Sequence, residues 1–142
     1  MSEYRFFHPV EVRYGDLDPQ GHVNNAKHLT YFEQARIHYW IELGLFSRDQ
    51  SFMEIGVIVA DAHIRYLEPV RWGYPLKVGV RTTAIGNKSF TMQQCLMDHG
   101  GQRMYSEGTL VHVAYDYIKG ASIRVPDEWR TRIQGYEGRP LE

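Results

Sequence analysis

Between Arg13 and Arg36 the chain reads RYGDLDPQGHVNNAKHLTYFEQAR, and Asp16, Asp18, His22, Asn24 and Asn25 crowd the turn that opens its longest helical pattern. A carboxylate at a helix N-terminus, beside backbone N–H groups that have no intrahelical acceptor, is suited to acyl transfer. The acid activates or supplies a nucleophile, and the free N–H groups stabilise the oxyanion. Asp18 is the carboxylate of choice. An Asp before Pro in a Gly-rich loop also commonly hydrogen-bonds its own backbone, so an ordinary turn acid is the competing reading. His22, with a reference pKa near 6.5, can carry protons at neutral pH, orient water or only pack. Asn24 has the side chain of a helix cap.

These residues need elements to hold them. Tyr4 to Arg13 alternates in the strand manner and meets the turn-rich Gly15, Asp16, Asp18, Pro19 and Gly21. From Lys27 to Leu43, Leu29, Phe32, Ala35, Tyr39, Trp40 and Leu43 recur at helical spacing, with Asn24 or Asn25 to cap the start and Gly44 to close the end. That predicts a helix of about four turns. Four strands follow, over Ile55–Leu67, Leu76–Ile85, Lys88–Met97 and Met104–Tyr117, with hairpin signals at Gly86-Asn87 and His99–Gln102. Consecutive hairpins imply an antiparallel meander. Pro126-Asp127-Glu128, ending with Arg130 and Arg132, has the acid-first order of a short helix, and the tail GYEGRPLE reads as loose. One strand, one long helix and four strands predict an α+β architecture, an antiparallel sheet wrapped around a long central helix.

The 142 residues predict one domain over 1–142, with no repeat or linker-like stretch. A hydrophobic content of 43% and ten Tyr predict a core rich in rings. The net charge of -1 offers no broad field for nucleic acid or an acidic membrane surface. Cys95 is the single cysteine, so no intrachain disulfide can form, and a reducing compartment suits it. No signal core or apolar run long enough to span a bilayer is present, and a cytoplasmic location is the expectation. No HExxH, GxGxxG or P-loop occurs, so neither metal nor cofactor is expected.

Tyr14-Gly15-Asp16-Leu17-Asp18 and Tyr31 through Arg36, with echoes at Arg65-Tyr66 and Lys88-Ser89-Phe90, resemble the hotdog-fold acyl thioesterases of the 4-hydroxybenzoyl-CoA thioesterase family. The run Asp18 to Asn25 resembles the branch that includes long-chain acyl-CoA thioesterases and plant acyl-ACP thioesterases. The resemblance implies the hotdog fold, with Asp18 as nucleophile or general base, the Asn25 N–H as oxyanion donor and His22 as an assisting residue. In the plant branch an Asn stands two residues after the Asp; Gln20 occupies that place here. Gln20 and Asn24 are assigned to substrate, and Lys88 corresponds to the family's nucleotide-contacting region. The resemblance further implies a homodimer or homotetramer whose sites form between protomers.

The expected function is hydrolysis of an acyl-CoA to a carboxylic acid and free thiol, with water as the only co-reactant. Alternatives are an acyl-ACP thioesterase, a hotdog hydratase or dehydratase, and a protein that holds acyl thioesters without turnover. Other residues carry blander expectations. Glu33 and Arg36, three apart, read as a solvated or subunit-facing ion pair. Asp61 and His63 share a strand face with Val57 and Val59 and point to an interface or to the site. Cys95 reads as a small core residue. Arg65 and Arg71 are phosphate candidates by type alone. Phe32, Tyr39, Phe52 and Met53 line an acyl tunnel or form ordinary core.

Overall fold

The computed structural model describes residues 3–49, 51, 53 and 56–141. Strand β1 spans Phe6–Val10 and is followed by a single 3₁₀ turn at Tyr14–Asp16 and then by helix α1, Asn25–Glu42. Strands β2 (Val57–Tyr66), β3 (Leu76–Ile85), β4 (Ser89–Asp98), β5 (Met104–Asp116) and the short β6 (Ala121–Ser122) precede helix α2, Asp127–Glu137. The expected elements stand within a few residues of these bounds, although Ile55 and Phe52 lie outside the described residues.

The sheet is antiparallel in the order β1-β3-β4-β5-β2, with β6 on β5. The meander therefore covers β3 to β5 only. β2 crosses over to pair with β5, Val57 opposite Ala114 and Tyr66 opposite Ser106, and it is an edge strand of ten residues. The β4–β5 turn is tight because Asp98 accepts the Arg103 N–H on Oδ1 at 2.6 Å, while Gly101 takes φ +74.

α1 is capped by Asn24, whose side chain accepts from Ala26 N, and it closes at Gly44 with φ +79. Its buried stripe is His28, Tyr31, Phe32, Ala35, Arg36, Tyr39 and Trp40. Phe32 and Tyr39 are fully buried core residues; Met53 is 64% exposed. Burying a ring such as Phe32 stabilises the fold by roughly 1.5–3 kcal/mol. The ring lies on the sheet where a strand side chain is missing: a Cβ on Gly108 would stand 3.1 Å from Phe32 Cε2 and 3.3 Å from the His63 carbonyl. Leu29, expected in the core, is 36% exposed because the buried stripe turns past it to admit the polar His28 and Arg36.

A bulge between Val59 and Asp61 separates the residues expected to share a face. Val57 and Val59 pair with the buried Ala114 and His112 on the helix side, whereas Asp61 and His63 pair with Val111 and Thr109 on the other, exposed face. Cys95 is fully buried, and burial pushes its thiol pKa up.

The tail is not loose. Tyr136 and Glu137 belong to α2, and Leu141 is buried. β1 begins opposite Val80, and two residues further along β3 the Glu137 carboxylate accepts the Thr82 N–H at 3.1 Å and the Tyr39 hydroxyl at 2.5 Å. An acid that reads as an exposed tail residue thus holds α2, β3 and α1 together. Glu137→Ala strands the Thr82 N–H and removes the acid that anchors Tyr39; it is expected to cost about 1–3 kcal/mol, read as a lower denaturant midpoint at an unchanged m-value.

Candidate active site

The site loop is built on a buried acid. Asp16, wholly inaccessible, accepts from Arg13 N at 3.0 Å and from the Tyr31 hydroxyl at 2.7 Å, with Arg13 Nη2 3.2 Å from its other oxygen. Its carbonyl also accepts the Asn24 N–H at 2.8 Å, so one residue fastens the loop both to α1's second turn and to its cap. Burial pushes the Asp16 pKa up, but the hydrogen bonds from Arg13 and Tyr31 outweigh it and hold the carboxyl below its usual value. The Tyr31 hydroxyl is pushed above its ordinary value by burial and by its bond to Asp16.

Asp18 to His22 form a closed turn: Asp18 N donates to His22 O at 2.8 Å and Gly21 N to Asp18 O at 2.9 Å. Asp18 Oδ1 accepts from Gln20 N at 2.9 Å and His22 N at 3.3 Å. The turn-acid reading is therefore half of the truth. Among the described residues no donor meets Oδ2, which leaves one carboxylate oxygen for chemistry while the other fixes its aim. Backbone bridges join Leu17 to Val23 and His22 to Arg71, so Arg71 stands beside the loop. The exposed rings of Tyr14 and Trp72 meet edge-on at 6.5 Å.

A cavity of about 390 Å³ gathers Asp18, Gln20, His22, Asn24 and Asn25 at the N-terminus of α1. Asn24 spends its side-chain oxygen on Ala26 N at 2.9 Å, in its capping role. The Asn25 N–H has no acceptor among the described residues and stands at the positive end of the helix. Its carbonyl accepts the Tyr66 hydroxyl at 2.9 Å, which braces that first turn against β2. Five of the six residues expected at the site are thus brought together. Lys88 is not: it lies in the β3–β4 hairpin, at the opposite end of the sheet from Tyr66 and the cavity. Arg65 faces Glu107 at 3.4 Å.

His28 is the site residue that the sequence does not announce. It lines the same cavity, is 2% exposed, places Nδ1 2.8 Å from Ser106 Oγ and packs edge-on against Tyr66 at 5.0 Å. Burial lowers its pKa to about 4, so the ring is neutral at pH 7. Its place three residues after Asn25, one turn into α1, is the signal that marks it as facing the site.

An antiparallel sheet over a long helix, with a carboxylate loop against the helix N-terminus, defines a hotdog-fold thioesterase. The match to the thioesterase-like superfamily runs over residues 12–133, and the chain belongs to that family. A thioesterase from Thermus thermophilus, solved with coenzyme A and Zn, is 37% identical, with TM-score 0.86 over 99% of this chain and 100% of that one. The PA5185 protein of Pseudomonas aeruginosa PAO1 is 29% identical, with TM-score 0.80 over 94% and 92%. YsmA of Bacillus subtilis (strain 168), an uncharacterised protein, is 30% identical over 89% of this chain and 84% of its own length.

Asp16→Asn is expected to cost about 1–3 kcal/mol at pH 7, because an amide cannot accept all three bonds. A carboxyl whose pKa is lower in the folded state stabilises it above the unfolded value, near 3.9, and loses that contribution as pH falls through the folded value. Melting temperatures of wild type and Asp16→Asn should therefore converge below about pH 4; a gap unchanged at pH 3 would assign the effect to shape instead of charge.

Proposed function

We propose that the protein is an acyl-CoA thioesterase, hydrolysing an acyl thioester to a carboxylic acid and the CoA thiol at the α1 N-terminus. The observation that carries this reading is the pairing, in one cavity, of a half-free carboxylate with an unengaged backbone N–H: Asp18 Oδ2 and Asn25 N. Coenzyme A bound to the Thermus thermophilus thioesterase supports a CoA carrier.

In the general-base course, Asp18 Oδ2 takes a proton from water as the water oxygen attacks the thioester carbonyl. The carbonyl oxygen becomes an oxyanion that accepts from the Asn25 N–H, where the helix dipole adds its field. Collapse re-forms the carbonyl, breaks the C–S bond and returns the proton to the leaving thiolate. In the nucleophilic course, Oδ2 attacks the thioester carbon and the C–S bond breaks as the thiolate leaves. Water then opens the mixed anhydride, releasing the acid, restoring the Asp18 carboxylate and giving its spare proton to the thiolate. The two Oδ1 hydrogen bonds fix the carboxylate plane in either course. His22 shares the cavity as an assisting donor, and Gln20 and Asn24 line the approach. Arg71, whose backbone bridges to His22, is a further candidate, in addition to Lys88, for contact with a phosphate.

We assign a homodimer to the chain, because β2 offers a ten-residue edge that pairs on one side only and is exposed along most of its length. Higher assembly to a tetramer rests on the family resemblance.

Asp18→Asn keeps the turn's acceptor and removes the base, so kcat for free-thiol release from acyl-CoAs should fall by about two orders of magnitude or more at little change in KM. Retention of full turnover would sink the assignment of Asp18. Conversion of an enoyl-CoA at its double bond, with the thioester intact and no free thiol, would move the reading to a hydratase.

A further inference from the structure

His28 is the one buried, titratable side chain at the cavity by the start of α1 that the course of hydrolysis above leaves without a task. It lines that cavity together with Asp18 and Asn25, although only 2% of it is exposed. Nδ1 lies 2.8 Å from Ser106 Oγ. Nε2 has no hydrogen-bond partner among the described residues, and unlike the sealed nitrogens of His112 it is reached from outside. The ring therefore presents Nε2 to the cavity.

Two features aim it. A helical side chain leans toward the helix N-terminus, over the residue one turn earlier, and for His28 that residue is Asn25. The ring also meets Tyr66 edge-on at 5.0 Å, and the Tyr66 hydroxyl donates to the Asn25 carbonyl at 2.9 Å. His28, Tyr66 and the first turn of α1 are thus one packed group. Ser106 stands on β5, an interior strand, so the setting of the ring does not depend on what covers the β2 edge. Which nitrogen carries the proton follows from the serine. Ser106 is fully buried, and His28 is the only partner of its hydroxyl among the described residues. A proton on Nδ1 would leave the hydroxyl hydrogen buried without an acceptor, which costs more than an unused lone pair. The hydroxyl therefore donates to Nδ1, and the ring hydrogen sits on Nε2. Burial, which lowers the ring's pKa to about 4, keeps it uncharged at pH 7. A neutral imidazole N–H is a far weaker acid than an imidazolium, so it polarises an oxygen without giving up its proton.

We propose that His28 is a further catalytic residue: its Nε2–H is a second hydrogen-bond donor to the thioester carbonyl oxygen, beside the Asn25 N–H, with Ser106 as the positioning residue that sets its tautomer. The inference rests on the thioesterase reading above. As the nucleophile adds to the carbonyl carbon, the oxygen takes the electron pair of the C=O bond and accepts from both donors. The His28 proton stays on Nε2 throughout, so the proton taken up through Asp18 still ends on the leaving thiolate. A buried ring held on both sides needs no reorientation as the charge develops, which is the condition under which a donor stabilises the oxyanion more than the ground-state carbonyl.

The test measures free-thiol release from acyl-CoAs by wild type, His28→Phe, His28→Gln and Ser106→Ala. His28→Phe keeps a ring against Tyr66 and lacks the donor, so kcat should fall by about a hundredfold or more while KM stays within about threefold. His28→Gln, whose amide N–H reaches the place of Nε2, should recover kcat to within about tenfold of wild type. Ser106→Ala removes the tautomer's partner and should lower kcat by about fivefold to twentyfold. Nitrogen NMR of histidine-labelled wild type, with the His28 signals identified by their loss in His28→Gln, reads the tautomer without any turnover and should show hydrogen on Nε2 and a bare Nδ1 at pH 7. Turnover in His28→Phe within about threefold of wild type, or hydrogen on Nδ1, overturns the donor and spares the thioesterase. A loss in His28→Gln as deep as in His28→Phe assigns the ring to packing and also overturns it. If His28→Phe fails to fold, the tautomer spectrum decides. No thiol release by wild type from any acyl-CoA overturns the thioesterase reading and the donor's role together, whatever the spectrum shows.

Discussion

The placement of the active-site loop depends on the buried carboxylate of Asp16. A loop carrying Gly15, Pro19 and Gly21 has little propensity to hold one conformation, and the Asp18 turn closes only on itself. Asp16 ties this unit to α1 through the Tyr31 hydroxyl and through the Asn24 amide, and closes the preceding 3₁₀ turn onto Arg13 N. The tie is worth its desolvation because the acid's lone pairs are met by directed donors; an unpaired carboxylate at that depth would unfold the loop. It also sets a distance. Asn24 caps the helix and Asn25 exposes its N–H only because the chain enters α1 from this fixed point, so the Asn25 N–H and the Asp18 carboxylate are registered by the same residue.

Elsewhere the interior follows the same logic. The sheet is one layer deep with a single long helix across it, and that helix carries His28, Arg36 and Tyr39 on its buried face. Tyr39 is met by Thr82 at 3.0 Å and by Glu137, and Arg36 by Gln94. His28 is met by Ser106. These bonds pin α1 at its start, middle and end to β5, β4 and β3, which fixes its rotation about its own axis as hydrophobic contact alone does not. Rotation matters because it sets how Asn25 and His28 face the cavity at the start of the helix.

Much of this is legible in the sequence, and the failures have common causes. Alternation and Gly-rich turns locate β3, β4 and β5 within a residue or two, since these strands bury one face and obey period two. The motif from Asp16 to Asn25 locates the turn, the cap and the cavity they line at the start of α1, because turn and cap chemistry is local. The bulge after Val59 is not legible: a single inserted residue reverses the facing of Asp61 and His63 without altering composition. Glu137 reads as a tail residue because its partners, Tyr39 and Thr82, are 98 and 55 residues away. His28 and Arg36 escape for the same reason, since polar residues on a helix count as solvated until a distant Ser106 or Gln94 is known to face them.

The contrast between His28 and His112 shows how the fold separates structural from functional polarity. Both rings are buried, and both are held neutral chiefly by desolvation. His28 spends Nδ1 on a serine hydroxyl and lines the cavity at the start of α1. His112 is oriented by Phe90 and Trp40 instead, with both nitrogens uncommitted. A packing-only role at position 112, between Val111 and Val113 in β5, would be filled by an apolar side chain without the desolvation penalty of an imidazole. The chain bears that penalty beside a cavity of about 650 Å³, where the buried Arg36 Nε also lacks a partner. The unpartnered groups come from different elements, α1 and β5, so no single local irregularity accounts for them.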